Sequence, residues 1–273
     1  MDVPLPPRPV PQQPTDVAEG YVELERSERW AMHRAIAENQ GLVEHWCRLL
    51  TLYREAMSGT REFDGPDAER HSWLVRQLMA AVACGTSKMA LDAALAGRYT
   101  QSFALCRHML ETWVQMVYVG FRPDQALRWS SGPNGEPPIE PSHGTLKRTV
   151  LCRTGNPGLF HVIDRLITQY NKGAHPSGLA LGQVIGSTAG FIRLGATYQR
   201  QTCIRALDHG SFATLMVLGE ITNTLPQNEA WHARLRATAL SRRAWLEAYV
   251  AENGDDIGFE LTNTVDAPPP PAA

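Results

Sequence analysis

The chain has 273 residues, a formal net charge of −2, 43% hydrophobic residues and 20% charged ones. That balance is ordinary for a soluble globular protein, and a chain this long can bury most of its apolar surface without disulfides or metals. No overall field draws it to nucleic acid or to an anionic membrane, and the length suits one large domain or two small ones.

The five cysteines, Cys47, Cys84, Cys106, Cys152 and Cys203, include no C-x-x-C pair, and four lie inside apolar helical patterns. An odd count without a signal peptide reads as reduced thiols in the cytoplasm. Zinc needs clustered ligands, and the sequence offers no such cluster; no other metal and no cofactor is indicated. The start, MDVPLPPRPVPQQP, lacks the basic and apolar regions of a secretory signal. No stretch approaches the roughly 20 apolar residues that span a bilayer, so no membrane is expected.

In chain order, residues 1–15 form a proline-rich arm, and the proline-rich tail ends in APPPPAA. Both read as extended, disordered segments. A single helical domain is expected between them, over 16–255. Its first helical region runs from Val17 to Met57, with Trp30, Ile36, Leu42, Trp46, Leu49, Leu50 and Tyr53 as the apolar set and Gly41 as a candidate break. A loop, SGTREFDGPD, leads into a helix from Asp67 to Ala96. Leu74, Leu78, Val82, Met89 and Leu95 are expected to form its buried face, and Gly97 to close it.

The next helix runs from Thr100 to Gly120. At about 100° per residue, Phe103, Cys106, Leu110, Trp113, Val114 and Val117 fall on one arc, and Gln101, Arg107, His108, Glu111, Thr112 and Gln115 on the other. The helix is amphipathic. Pro123 suits the first turn of a short helix through Trp129. Residues 130–142 are too rich in proline and glycine to be regular. Helical pattern returns at Leu146–Leu151 and Pro157–Tyr170, breaks over Asn171–Gly178, and gives way to a glycine-rich stretch compatible with a small hairpin near 183–198. Helices over Gln199–Leu225 and Gln227–Glu252, separated by Pro226, complete an all-α bundle of six to eight helices.

The chain carries no G-x-x-x-x-G-K-[ST], H-E-x-x-H, G-x-S-x-G or G-x-G-x-x-G motif, so ATPase, metalloprotease, hydrolase and dehydrogenase readings have no support. The run LAGRYTQSFALCRHMLETWVQMVY, then PDQALRW, then YNKGAHPS, resembles bacterial helical proteins of the DUF5677 type, which are similar to the HEPN superfamily; the resemblance covers about residues 70–225. Active members of that superfamily are mostly metal-independent ribonucleases. An arginine stabilises charge on a phosphate, and a histidine after four to six intervening residues moves a proton near neutral pH. By that resemblance Asn171 and His175 occupy motif positions, while the arginine position holds Tyr170, which is neutral at pH 7.

The resemblance therefore implies a non-catalytic module that binds RNA, a nucleotide or a protein partner, and that forms a homodimer. Two alternatives stay open. One is a ribonuclease with His175 as general acid or base, Glu111 orienting Arg107, and Lys172 near the phosphate. The other is a self-associating helical scaffold. Arg98, Tyr99, Tyr170, Asn171 and Lys172 are the candidate binding residues. Each also has a plainer reading: His175 as a turn residue before Pro176, Arg107 and Glu111 as an exposed pair worth a few tenths of a kcal/mol, and Arg98 and Tyr99 as a surface turn. Arg234, Arg236, Arg242 and Arg243 fall on different sides of the last helix and read as solvated.

Overall fold

The computed structural model describes residues 16–58, 63, 67–126, 144–145, 148–150, 155, 157–174, 198–224 and 228–253. Among these, seven long α-helices follow one another: α1 (Asp16–Glu38), α2 (Gln40–Ser58), α3 (Asp67–Leu95), α4 (Tyr99–Phe121), α5 (Pro157–Ala174), α6 (Arg200–Thr222) and α7 (Glu229–Asn253). A single 3-10 turn, Pro123–Gln125, follows α4, with proline opening it as expected. The described residues include no strand, and the fold is a helical bundle. Of the hairpin expected near 183–198 only Tyr198 is described, and the proline-rich arm and the tail lie outside the described residues.

α4 and α6 are the central pair. α3 and α5 flank α4, α2 packs on α6, and α7 packs on α2. The α3–α4 hairpin is laced at both ends: Ser102 Oγ donates to the Ala90 carbonyl at 2.9 Å, and Ser72 Oγ to the Val119 carbonyl at 2.8 Å. Gly97 makes the reversal, with φ +72°. The Arg98 N–H reaches back to the Ala93 carbonyl at 2.8 Å and the Gly97 N–H to Ala94 at 3.2 Å, which satisfies carbonyls that the helix end leaves open. On the other flank, Trp46 Nε1 of α2 donates to Ser87 Oγ at 3.0 Å, and Ser87 shares a 2.6 Å hydrogen bond with Thr214 of α6. A Cβ at Gly210 would stand 1.9 Å from the Trp46 ring, so the α2–α6 contact needs a glycine there.

The first helical region is two helices, and the break falls at Asn39 rather than Gly41. Asn39 is buried, and its amide donates to the Ala35 carbonyl and the Tyr198 hydroxyl, both at 3.1 Å. That local bonding competes with a continuous helix. Trp30 and Ile36, read as apolar contacts of this region, are exposed. α5 continues past the expected break to Ala174. Asn171 therefore does not end the helix, and the rest of the expected break, from His175 on, lies outside the described residues.

α3 turns the opposite face to the core from the one its large apolar residues suggest. Leu74, Leu78, Val82 and Met89 point outward, at 48%, 59%, 59% and 59% exposure, and of the expected face only Leu95 is buried. The inward face is Val75, Met79, Ala80, Ala83, Ser87, Ala90, Leu91 and Ala94. α3 is pressed against both α4 and α6, and a helix held that closely presents small side chains to its neighbours. Size of the apolar residue was therefore the wrong guide to which side faces the core. By length and composition α3 is also the one helix among the described residues long and apolar enough to cross a membrane, contrary to expectation; 56% of that window is buried inside the fold.

Candidate functional site

α4 divides its surface much as its periodicity predicts. Phe103, Cys106, Leu110, Trp113, Val114 and Val117 are buried, and Gln101 and His108 are exposed. Thr112 departs from the pattern: it is buried and returns its hydroxyl to the His108 carbonyl at 2.8 Å. Arg107 and Glu111 lie at the boundary, with side chains 33% and 37% exposed, and Arg107 Nε donates to Glu111 Oε1 at 2.8 Å. The pair sits at the rim of the bundle and is open to water.

Arg98 and Tyr99 part company. Arg98 is exposed and pairs with Glu28 at 3.6 Å. Tyr99 is buried, and its hydroxyl accepts the Gln199 N–H at 3.2 Å, tying the start of α6 to the start of α4. Its role is structural.

Tyr170, the residue at the arginine position of the ribonuclease pattern, is buried in the core on α5. Its ring stacks on Phe103 (centroids 5.6 Å apart, planes 15°) and leans on His209 at 5.8 Å. Burial raises its phenol well above the ordinary tyrosine range, and its hydroxyl finds no hydrogen-bond partner among the described residues. Phe103 lies one helical turn before Arg107, so α5 brings Tyr170 against the stretch of α4 next to the Arg107–Glu111 pair. Asn171 and Lys172 contribute backbone to the last turn of α5; their side chains, and His175 entirely, lie outside the described residues.

Behind Tyr170 is a polar cluster that the sequence reading missed. Asp208 of α6 is fully buried and forms an ion pair with Arg242 of α7, which is also buried. Arg242 was expected to be solvated; instead its guanidinium lies over the Phe212 ring, 5.5 Å from the centroid. His209 follows Asp208. Its Nδ1 is buried without a partner among the described residues, and burial pushes its imidazole down to about 4. His45 of α2, 3.5 Å from Ser241 Oγ through Nδ1, is likewise pushed to about 4, by burial first and then by the charge of Arg242. A second buried pair, Arg76 with Glu220, joins α3 to the end of α6. The available signal was Asp208 within the apolar run of α6, because a buried carboxylate demands a counter-charge.

Chemically, this arrangement separates two environments. The Arg107–Glu111 pair can meet a ligand from solvent. The Asp208–Arg242–His209–Tyr170 group is sealed in packing, its histidine neutral and its phenol protonated at pH 7. Among the described residues no group of three or more His, Cys, Asp or Glu side chains is arranged to hold a metal ion. No protein-family model, curated protein or solved structure matches the chain.

Proposed function

We propose that this chain is a non-catalytic, HEPN-like helical module that works by binding a protein partner. One observation carries the reading. Tyr170, where the ribonuclease pattern requires a phosphate-binding arginine, is a packing residue held between Phe103 and His209. A neutral, buried phenol does not stabilise charge on a phosphate. The arginines support the same view, since carboxylates engage them: Arg107 with Glu111, Arg98 with Glu28, Arg234 with Glu55 and Arg242 with Asp208. Large apolar side chains standing outward on α3 favour a protein surface over RNA or a nucleotide. Four unlinked cysteines, Cys47, Cys84, Cys106 and Cys203, favour a reducing compartment, so the reading has the protein in the cytoplasm.

The test is incubation of the purified chain with structured and single-stranded RNA in EDTA, alongside His175→Ala. The expected result is no cleavage above a blank and no salt-sensitive retention on RNA or nucleotide. Cleavage that disappears in His175→Ala, with helicity unchanged, would replace this reading with a metal-independent ribonuclease.

A further inference from the structure

The outward face of α3 reads the same in both directions. At about 100° per residue, His71, Leu74, Leu78, Ala81, Val82, Gly85, Met89 and Asp92 fall within about 100° of arc. Seven of these are exposed, and Asp92 is partly so. Inverting the helix about the point between Ala81 and Val82 sets His71 opposite Asp92, Leu74 opposite Met89, Leu78 opposite Gly85 and Ala81 opposite Val82. The pairings suit one another: Leu78 meets glycine, Ala81 meets a branched valine, Leu74 and Met89 put two large apolar side chains together, and at each end His71 faces Asp92, whose carboxylate also holds Lys88 of its own helix.

Gly85 makes this specific. A glycine in the middle of a helix weakens it relative to alanine. Among the described residues nothing requires it, since a Cβ at Gly85 would meet nothing within 4 Å. It leaves a hollow of one side chain in a ridge of Leu78, Val82 and Met89, beside the small Ala81. The 3-and-4 spacing of the stripe is that of helices packing at a shallow angle with axes about 8–10 Å apart, and small central residues allow the close end of that range.

We propose that the outward face of α3 is a self-association seam, on which a second copy of this chain docks its own α3 antiparallel about a two-fold axis between Ala81 and Val82, Leu78 of each copy seating in the Gly85 hollow of the other. This deepens the reading of the chain as a binding module, on which it rests for the view that the face is there to be covered. A two-fold contact uses one surface twice, so a stripe that is its own complement when reversed is what such an interface requires.

The experiment measures the mass of the full chain by light scattering or sedimentation from about 1 to 100 µM, where a concentration-dependent dimer shows itself. The expected species is twice the 30.2 kDa chain. Leu78→Arg should weaken association at least about tenfold. Gly85→Leu is the second variant: it improves helix propensity and strains nothing in the monomer, so it should keep or raise the melting temperature of dilute protein while weakening the dimer by a similar factor. Register is read by mild oxidation in a background with Cys47, Cys84 and Cys152 changed to serine, which leaves only the buried Cys106 and Cys203. A mixture of Leu74→Cys and Met89→Cys chains should cross-link, and neither chain alone should.

A wild-type chain that stays monomeric overturns the proposal, whether its α3 face is then found against phosphatidylcholine vesicles or under another part of the same chain. So does a dimer indifferent to both Leu78→Arg and Gly85→Leu. A dimer that also cleaves RNA upholds the seam and removes the non-catalytic reading; a monomer that cleaves nothing does the reverse.

Discussion

Asp208 and Arg242 meet in the core between α6 and α7, thirty-four positions apart in the chain, with the carboxylate fully shielded from water and the guanidinium nearly so. Each makes the other tolerable. Removing one leaves an uncompensated charge in low dielectric, which typically costs about 3–5 kcal/mol. Asp208→Ala and Arg242→Ala should each lose stability of that order in urea melts. Asp208→Leu combined with Arg242→Met should recover most of it, because the paired charges go together. A double variant as weak as the singles would mean that packing around Phe212, and not charge, dominates.

Gly210 lies against Trp46, with no room for a side chain. Gly210→Ala should destabilise the fold by about 1–3 kcal/mol, the usual range for overpacking, even though alanine is the better helix former. The measurement is the thermal midpoint. A neutral or raised value would mean that α2 and α6 are not pressed together there. Gly219, on the same helix with no atom within 4 Å of an added Cβ, is the control and should tolerate alanine.

Acid should unfold the protein through its histidines. His45 and His209 are each held near 4 when folded, against an ordinary 6.5. Between those values the unfolded chain binds protons that the folded chain refuses, so stability is full above about pH 6.5 and falls as pH drops toward 4. Denaturation at stepped pH should show a slope approaching two protons in that window. His209→Gln and His45→Gln should each remove about one proton from the slope; unchanged slopes would assign the dependence to carboxylates instead.

The Tyr170 hydroxyl is buried and makes no hydrogen bond among the described residues, so Tyr170→Phe should be neutral or mildly stabilising, within about 1 kcal/mol. Tyr170→Arg, which restores the residue of the ribonuclease pattern, should instead force a charge against Phe103 and collapse the thermal transition. If the arginine variant folds normally, the site is more open than its packing suggests.

The bundle itself was legible because helical periodicity is local: the two arcs of α4, the stop at Gly97 and the proline opening the 3-10 turn all follow from neighbours in sequence. Facing was less so. On α3 both sides are apolar, and only the closeness of α4 and α6 chooses the small-residue side for the core. The extent of α5 was less legible, because Asn171 and Gly173 are poor helix formers on their own and yet continue the helix to Ala174. The candidate site fared worst. Arg107 and Glu111 announce themselves by spacing, but Arg242 sits among three other arginines of α7, and nothing within that helix reveals that Asp208 waits for it. Long-range pairing of charges is a property of the packed molecule, written in neither partner's surroundings.

The Gly97 reversal has a kinetic consequence. Because it joins α3 to α4 through a few residues, the most extensive helix–helix contact in the bundle closes across a short loop, at little entropic penalty. α6 must return to the same pair from more than seventy positions downstream. The hairpin is therefore placed to assemble first and to serve as the template on which α6, and then α2 and α7, condense.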